Sequence, residues 1–184
     1  MNRAGIFSVS ILSFVAIIFF FGSTEQVEAD SIALNLYGVS YHLDHRDEPT
    51  SGTDGSNKLN EFNEGVGLRL SLGNDSSDVF FLEGGSFQDS FENEAMYLSL
   101  GYQWRVIMQL RIGINAAIYA TDSIRKGSPF FAAIPLVSYT IGFLTVNGLY
   151  LPKYRDINPY HTIGAYLTIR LFDWQRDACS DSGT

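Results

Sequence analysis

The 184-residue sequence predicts an all-β protein: an eight-stranded antiparallel up-and-down transmembrane β-barrel. Apolar residues alternate with polar or small residues at a period of two, which is typical of strands with one apolar face. The alternating segments reach the about 9–11 residues that a tilted strand needs to cross a bilayer. After Asp30, no apolar stretch reaches the about 20 residues that a membrane-spanning helix needs.

Eight segments show this alternation. In the fourth, Leu98, Leu100 and Tyr102 alternate with Ser99 and Gly101, so one face is apolar and the other is polar or small. Aromatic residues near the segment ends resemble the girdles of outer-membrane barrels, whose lipid face is apolar and whose interior is polar. A soluble barrel is the alternative, with the apolar face turned inward. The predicted strands span residues 31–43, 62–72, 79–90, 95–107, 109–121, 130–140, 142–152 and 161–172.

The connections between these segments alternate in length. If the barrel starts on the periplasmic side, the periplasmic connections are short, and the outer connections are mostly longer and polar, as expected for outer-membrane barrels. The short ones are 73–78, 106–109 and 141–142, and the longer ones are 44–61, 122–129 and 153–160. The connection 91–94 is the short exception on the outer side.

The first 29 residues are predicted to be a cleaved signal peptide. Arg3 precedes an apolar run from Ala4 to Gly22, and Val27-Glu28-Ala29 places small residues where a signal peptidase needs them. A retained membrane anchor is the alternative, because the apolar run is long. We therefore expect a bacterial outer-membrane protein with a barrel over residues 30–172. A polar tail, 173–184, follows and carries the single Cys179.

Composition excludes several classes of protein. Twelve Lys and Arg against 20 Asp and Glu give a formal net charge of −8, which argues against a nucleic-acid partner. One cysteine excludes an internal disulfide and a cysteine-rich zinc site. The sequence contains no phosphate-binding loop, dinucleotide fingerprint or hydrolase nucleophile elbow.

Three polar residues at strand ends are candidates for catalysis. His42 ends the first predicted strand, and Asp89 and Ser90 end the third, about 10 Å away across two strand spacings. Histidine could act as a base, serine as a nucleophile or polarising hydroxyl, and aspartate as the orienting acid. Adjacent residues on a strand point to opposite faces, so a relay requires that the strand has ended. The alternative is that all three merely face water.

Two further features stand out near the outer ends. Apolar residues change register near Gly38, which predicts a β-bulge that leaves Ser40 and His42 on one face. Proline removes a ladder hydrogen bond, so Pro135, which lies within a predicted strand, marks a place where neighbouring strands part and a lipid could pass sideways. Pro152 either marks a second such place or simply ends the seventh strand. The acidic and histidine-rich segment beginning at His42 favours a solvated loop over a metal site; its other members are Asp44, His45, Asp47 and Glu48.

The order and spacing of several short motifs resemble the lipid A palmitoyltransferase PagP family over roughly Asn35–Phe172. The motifs are Tyr41-His42, Asn60-Glu61, Gly65-Val66-Gly67-Leu68, Phe87-Gln88-Asp89-Ser90-Phe91, Gly101-Tyr102-Gln103-Trp104, Pro129, Ile134-Pro135-Leu136 and Tyr150-Leu151-Pro152. The resemblance implies an eight-stranded outer-membrane barrel with a buried apolar well that measures acyl chains. It also implies transfer of palmitate from a phospholipid to lipid A at the outer leaflet. Because acyl exchange between esters needs neither redox chemistry nor external energy, we expect no cofactor, and we expect a monomer.

The resemblance also implies roles for individual residues. The family's essential histidine, aspartate and serine fall on His42, Asp89 and Ser90, and its two strand-parting prolines fall on Pro135 and Pro152. This sequence departs from the family at the floor of the well, where a small residue becomes Gln103 and should shorten the well. Two family prolines are replaced by Tyr37 and Asn63, and the helix before the first strand is missing.

Two other functions fit the same sequence. One is a non-enzymatic barrel, structural or adhesive, whose long first loop does the work. The other is a lipid hydrolase that uses the same residues with water as the acceptor. The mass of lipid A distinguishes the three functions, because it gains one acyl chain, loses one or stays unchanged.

Overall fold

The computed structural model describes residues 30–44, 59–73, 78–154 and 157–174. The predicted signal peptide, most of the first long loop and the tail from residue 175 lie outside the described residues. His45, Asp47, Glu48 and Cys179 therefore have no structural account. In the part of the chain that is described, no helix has the length and apolar character needed to cross a membrane.

Eight antiparallel strands close into one barrel, in which each strand pairs with the next and β8 pairs with β1. This confirms the predicted eight-stranded up-and-down barrel, and β8 runs one residue beyond the predicted barrel end. The strands are β1 (Ser31–His42), β2 (Phe62–Leu72), β3 (Val79–Gln88), β4 (Glu94–Ile107), β5 (Leu110–Thr121), β6 (Phe130–Ile141), β7 (Leu144–Leu151) and β8 (Thr162–Asp173).

The barrel has two unlike ends. At the turn end lie Ser31 and Asp173 and the strand ends through which β2 leads to β3, β4 to β5 and β6 to β7. At the loop end lie the strand ends through which β1 leads to β2, β3 to β4, β5 to β6 and β7 to β8. Gly73 turns the chain at the turn end with φ +111°, a conformation that side chains rarely adopt, and its N–H donates to the Asp30 carboxylate.

The strand alternation sorts side chains between the lumen and the outside. In β4, Tyr97, Ser99 and Gln103 are buried inside the barrel, whereas Leu100 and Trp104 are about half exposed on the outer face. The same pattern recurs around the barrel, so the outward surface is apolar, as predicted. An apolar outer face is stable where hydrocarbon rather than water covers it.

A β-bulge in β1 decides which residues reach the lumen at the loop end. Tyr37 pairs with Gly65 and Tyr166, and the register then shifts before Val39 on both sides of the strand. The extra residue, Gly38, reverses the alternation, so Ser40 and His42 turn toward the cavity while Val39 is exposed. The predicted bulge is confirmed.

Polar side chains fill the lumen in the turn half of the barrel. Glu83 accepts hydrogen bonds from Arg69 Nε at 2.9 Å, Asn35 Nδ2 at 2.9 Å and Asn115 Nδ2 at 2.8 Å. Arg69 also donates to Tyr166 Oη at 2.8 Å. Because the buried carboxylate and guanidinium are paired and hydrogen-bonded, the cost of removing their charges from water is offset.

The network continues toward the turn end through short hydrogen bonds. Thr168 donates to Asn35 Oδ1 at 2.7 Å and accepts from Asn147 at 2.8 Å. Ser138 donates to Asn147 Oδ1 at 2.7 Å, and Gln103 donates to Ser138 at 2.6 Å. The barrel is therefore divided into a packed turn half and a loop half with open space.

Asp78 fixes the start of β3 at the turn end. One carboxylate oxygen accepts the Arg105 backbone N–H at 2.9 Å, and the other accepts the Tyr102 hydroxyl at 2.8 Å. The backbone hydrogen bond, followed by the tyrosine hydroxyl, lowers the pKa of Asp78 below its ordinary value. The charged carboxylate therefore favours the folded state.

Replacing Asp78 with asparagine should lower the urea midpoint of unfolding at pH 7. A carboxyl whose folded pKa is lowered stabilises the fold above its unfolded pKa of about 3.9, and this contribution is lost as the pH falls through the folded pKa. The difference between wild type and Asp78→Asn should therefore be constant above about pH 5 and narrow in more acidic solution. Glu64→Gln removes the same charge elsewhere and serves as the control. A difference that does not change with pH would contradict this role.

Candidate functional site

The loop half of the barrel encloses a cavity of about 510 Å³. This volume lies within the about 300–1,000 Å³ that ligand pockets occupy. Its walls are mostly aromatic and aliphatic, and its floor is polar, formed by Glu83 and Asn115 beside Leu136 and Tyr166. The wall residues include Tyr97, Tyr119, Phe130, Ile134, Leu149 and Leu151. An apolar cavity of this kind suits a hydrocarbon chain.

His42, Asp89 and Ser90 all line this cavity at its loop end, which we call the mouth. The hydroxyl oxygens of Ser90 and Ser40 are 3.4 Å apart, and Ser40 shares the inward face of β1 with His42. His42 is only 8% exposed, and the ring of Tyr160 meets its imidazole edge-on at 5.8 Å between centroids. The three candidates are thus gathered around one space.

Both carboxylate oxygens of Asp89 accept hydrogen bonds at the mouth. One carboxylate oxygen accepts the backbone N–H groups of Phe91 and Asn93 at 2.9 and 3.0 Å. The other accepts the Thr121 hydroxyl at 2.6 Å. Because β3 ends at Gln88, Asp89 and Ser90 are no longer held on opposite faces of a strand. Asp89 shapes the hairpin that carries Ser90 to the mouth.

Sequence reasoning did not identify Thr121 as a partner of Asp89. Thr121 is the last residue of β5, and no local spacing relates it to a residue 32 positions earlier. Its 6% exposure and its place in the cavity lining follow from the barrel closing. The contact joins the β3–β4 hairpin to β5 at the mouth.

The boundary between β6 and β7 is paired only in its turn half. Pairing runs from Ile141–Leu144 to Leu136–Leu149 and stops there, next to Pro135, which has no N–H to donate. The outward residues Phe131 and Ala133 nevertheless line the cavity, so the cavity extends toward the outer surface here. Pro152 follows β7 and also lines it. By contrast, β1 and β2 are paired as far as Val39–Phe62.

The three positions at which the sequence departs from the family occupy different places. Tyr37 and Asn63 line the cavity, and the Asn63 amide donates to the carbonyl of Gln88 at 3.0 Å. Gln103 does not line the cavity. Its amide is held by Ser138 in the packed turn half, so the floor lies above it and consists of other residues. The expectation that Gln103 forms the floor is corrected accordingly.

The comparison with known protein families agrees with the barrel geometry. A family model described as "Antimicrobial peptide resistance and lipid A acylation protein PagP" matches residues 25–161, well over half of the chain. The chain belongs to the PagP family. PagP proteins are outer-membrane barrels, which agrees with the apolar outward face. The match includes His42, Asp89 and Ser90. Curated protein sequences gave no match.

Replacing Thr121 with valine should loosen the β3–β4 hairpin without changing the side-chain volume much. A hydrogen bond to a carboxylate contributes about 1.5 kcal/mol or more, so the amides of Phe91 and Asn93 should exchange at least about tenfold faster. Hydrogen exchange followed by mass spectrometry measures this. Thr140→Val removes a hydroxyl pair with Thr145 at the turn end and should leave the hairpin unchanged. Unchanged exchange in Thr121→Val would contradict the role of this contact.

Proposed function

We propose that the protein is an outer-membrane acyltransferase that moves one acyl chain from a phospholipid to a hydroxyl of lipid A. Membership of a lipid A acylation family supports the general reaction. The observation that carries the proposal is an apolar cavity with His42 and Ser90 at its mouth and an opening toward the outer surface beside Pro135. Export through a signal peptide cleaved before Asp30 is part of the same proposal.

The reaction exchanges one ester for another. The oxygen of a lipid A hydroxyl forms a bond to the carbonyl carbon of the donor ester, and the bond from that carbon to the glycerol oxygen breaks. The proton of the attacking hydroxyl ends on the glycerol oxygen, which leaves as a lysophospholipid. No redox change and no external energy are needed, so no cofactor is expected.

The residues at the mouth would divide this chemistry among them. His42 is proposed as the base that takes the proton of the acceptor hydroxyl and returns it to the leaving oxygen. Ser90 is proposed to interact with the donor carbonyl, whose oxygen becomes more negative in the transition state. Asp89, held by Thr121 and by two backbone N–H groups, would keep the Ser90 hairpin in place. A fixed arrangement of this kind costs little reorganisation during the reaction.

The acyl chain would reach the cavity sideways, between β6 and β7. A phospholipid in the bilayer has its acyl chains at the height of the strands, so an opening in the barrel wall avoids moving them through water. Pro135 and Pro152 flank the unpaired part of this boundary. Because β8 pairs with β1, the sheet has no terminal edge strand for self-association, which supports a monomer as the working form.

Replacing His42 or Ser90 with alanine should abolish acylation of lipid A while the barrel still assembles. Loss of a general base lowers the rate about 10²–10⁴-fold, and loss of a carbonyl-stabilising donor about 10²–10³-fold. Mass spectra of lipid A after incubation with donor phospholipid measure the product. His161→Ala is the matched control, because His161 Nδ1 is hydrogen-bonded to Tyr150 Oη at 2.7 Å and His161 is not among the residues that line the cavity.

Three results would contradict the proposal. Wild-type rates in both alanine variants would remove His42 and Ser90 from the chemistry. A loss of one acyl chain from lipid A with the wild-type protein would indicate a hydrolase. An unchanged lipid A mass with an assembled wild-type barrel would favour the non-enzymatic role.

Cross-linking β6 to β7 should block the reaction reversibly. Cysteines at Pro135 and Tyr150 extend the register one step beyond the Leu136–Leu149 pair, and a cleavable thiol cross-linker would then close the opening. Acyl transfer should fall sharply and recover when the linker is cleaved. Leu36→Cys with Val66→Cys places the same linker across the paired β1–β2 boundary, and its transfer should not change. Equal transfer in both cross-linked proteins would contradict lateral access at β6–β7.

A further inference from the structure

The floor of the cavity contains a buried carboxylate, that of Glu83, with the polar groups of Asn115 and Tyr166 and the aliphatic side chain of Leu136 beside it. Glu83 and Arg69 are 3% and 4% exposed, and their closest N···O contact is 2.8 Å. Glu83, Asn115 and Tyr166 line the cavity, whereas Arg69 lies behind them and donates to Glu83 and Tyr166. A methyl group that pushed past this level would have to break hydrogen bonds to buried charges, which is far less favourable than moving an aliphatic side chain.

A buried aromatic ring lies directly beneath this floor. The ring of Phe81 is fully buried, and the Arg69 guanidinium lies over it at 4.1 Å from the centroid. Phe81 occupies the room that a side chain at position 101 would need, since a Cβ placed on Gly101 would come within 2.0 Å of the ring. Phe81, Leu136 and Tyr166 pack together as a buried cluster. A layer of packed side chains therefore supports the floor of the cavity from below.

Strand β5 gives the distance from the mouth of the cavity to its floor, because it runs from one to the other. Asn115 lies at the floor and Thr121 lies at the mouth, and both line the cavity. At about 3.4 Å per residue they are about 20 Å apart along the strand, and a strand tilt of about 35–45° reduces this to about 15 Å along the barrel axis. In an extended alkyl chain, each carbon–carbon bond of about 1.5 Å, with bond angles of about 111°, adds about 1.25 Å to the length of the chain. A depth of about 15 Å therefore holds about 12 carbons, whereas a 16-carbon chain needs about 19 Å.

We infer that the floor formed by Glu83, which its buried partner Arg69 holds in place, sets the length of the transferred acyl chain, and that the preferred chain has about 12 carbons rather than the 16 of palmitate. The inference rests on the proposed acyl transfer and deepens it. It also relocates the length-determining position from Gln103, where the sequence motif suggested it, to Glu83 and Arg69. Gln103 lies beneath the packed layer and is not reached by the chain.

The test uses the full-length mature protein in lipid nanodiscs that contain an equimolar mixture of saturated phosphatidylethanolamines with 10, 12, 14 or 16 carbons. Native mass spectrometry identifies the phospholipid that the protein retains, and mass spectra of added lipid A identify the chain transferred. We expect the 12-carbon species to dominate both measurements. Preferential retention and transfer of 16 carbons would overturn the inference but leave the acyl transfer intact. Retention of 12 carbons without any transfer would overturn only the proposed function.

Variants at the floor give the reciprocal test. Arg69→Leu combined with Glu83→Ala removes both charges and shortens the floor residue, so the preferred chain should lengthen by two carbons or more. Gln103→Ala, two positions beyond Gly101 toward the turn end, should retain the wild-type preference. Lengthening by Gln103→Ala alone, with no change in the double variant, would place the stop at Gln103 and overturn the inference.

A second variant covers the case in which the double variant does not assemble, as judged by its circular dichroism. Ile134 lines the cavity and is the neighbour of Asn115 on the adjacent strand β6. Ile134→Phe therefore adds a larger side chain to the cavity wall at the level of the floor. It should shorten the preferred chain by two carbons or more. An unchanged preference in an assembled Ile134→Phe barrel would mean that the chain does not reach this depth, which also overturns the inference.

Discussion

The carboxylate of Glu83 lies inside the barrel and accepts hydrogen bonds from Arg69, Asn35 and Asn115, which come from three other strands. Removing one partner of such a buried pair costs about 3–5 kcal/mol, because the other charge is left uncompensated. The cluster therefore ties β1, β2, β3 and β5 together at one level of the lumen. A hydrogen-bonded network fills the lumen on its turn side, and the cavity lies on its loop side.

Two local irregularities turn the remaining space into a site. The bulge at Gly38 reverses the alternation of β1 and directs His42 into the cavity instead of toward the lipid. The end of pairing beyond Leu136–Leu149, next to Pro135, lets the cavity reach the outer surface. A barrel with regular alternation in β1 would not direct His42 into the cavity, and one with complete β6–β7 pairing would lack the proposed side opening beside Pro135.

Much of the fold was predictable because a barrel strand repeats every two residues, and the repeat is visible without any knowledge of neighbouring strands. The eight strands and the bulge near Gly38 were found in this way. The floor was not, because a motif such as Gly101-Tyr102-Gln103-Trp104 places Gln103 on a face but does not show what lies above it. Phe81 and Glu83 take that space from another strand, and the Thr121–Asp89 contact likewise depends on the closed barrel.

Transfer of an intact acyl chain between two lipids is tested most directly by supplying the wild-type protein with a phospholipid that is isotopically labelled in both acyl chains and following the label. We expect labelled lipid A and labelled lysophospholipid in equal amounts, with no labelled fatty acid released. Labelled free fatty acid without labelled lipid A, or label that stays in the phospholipid, would contradict it.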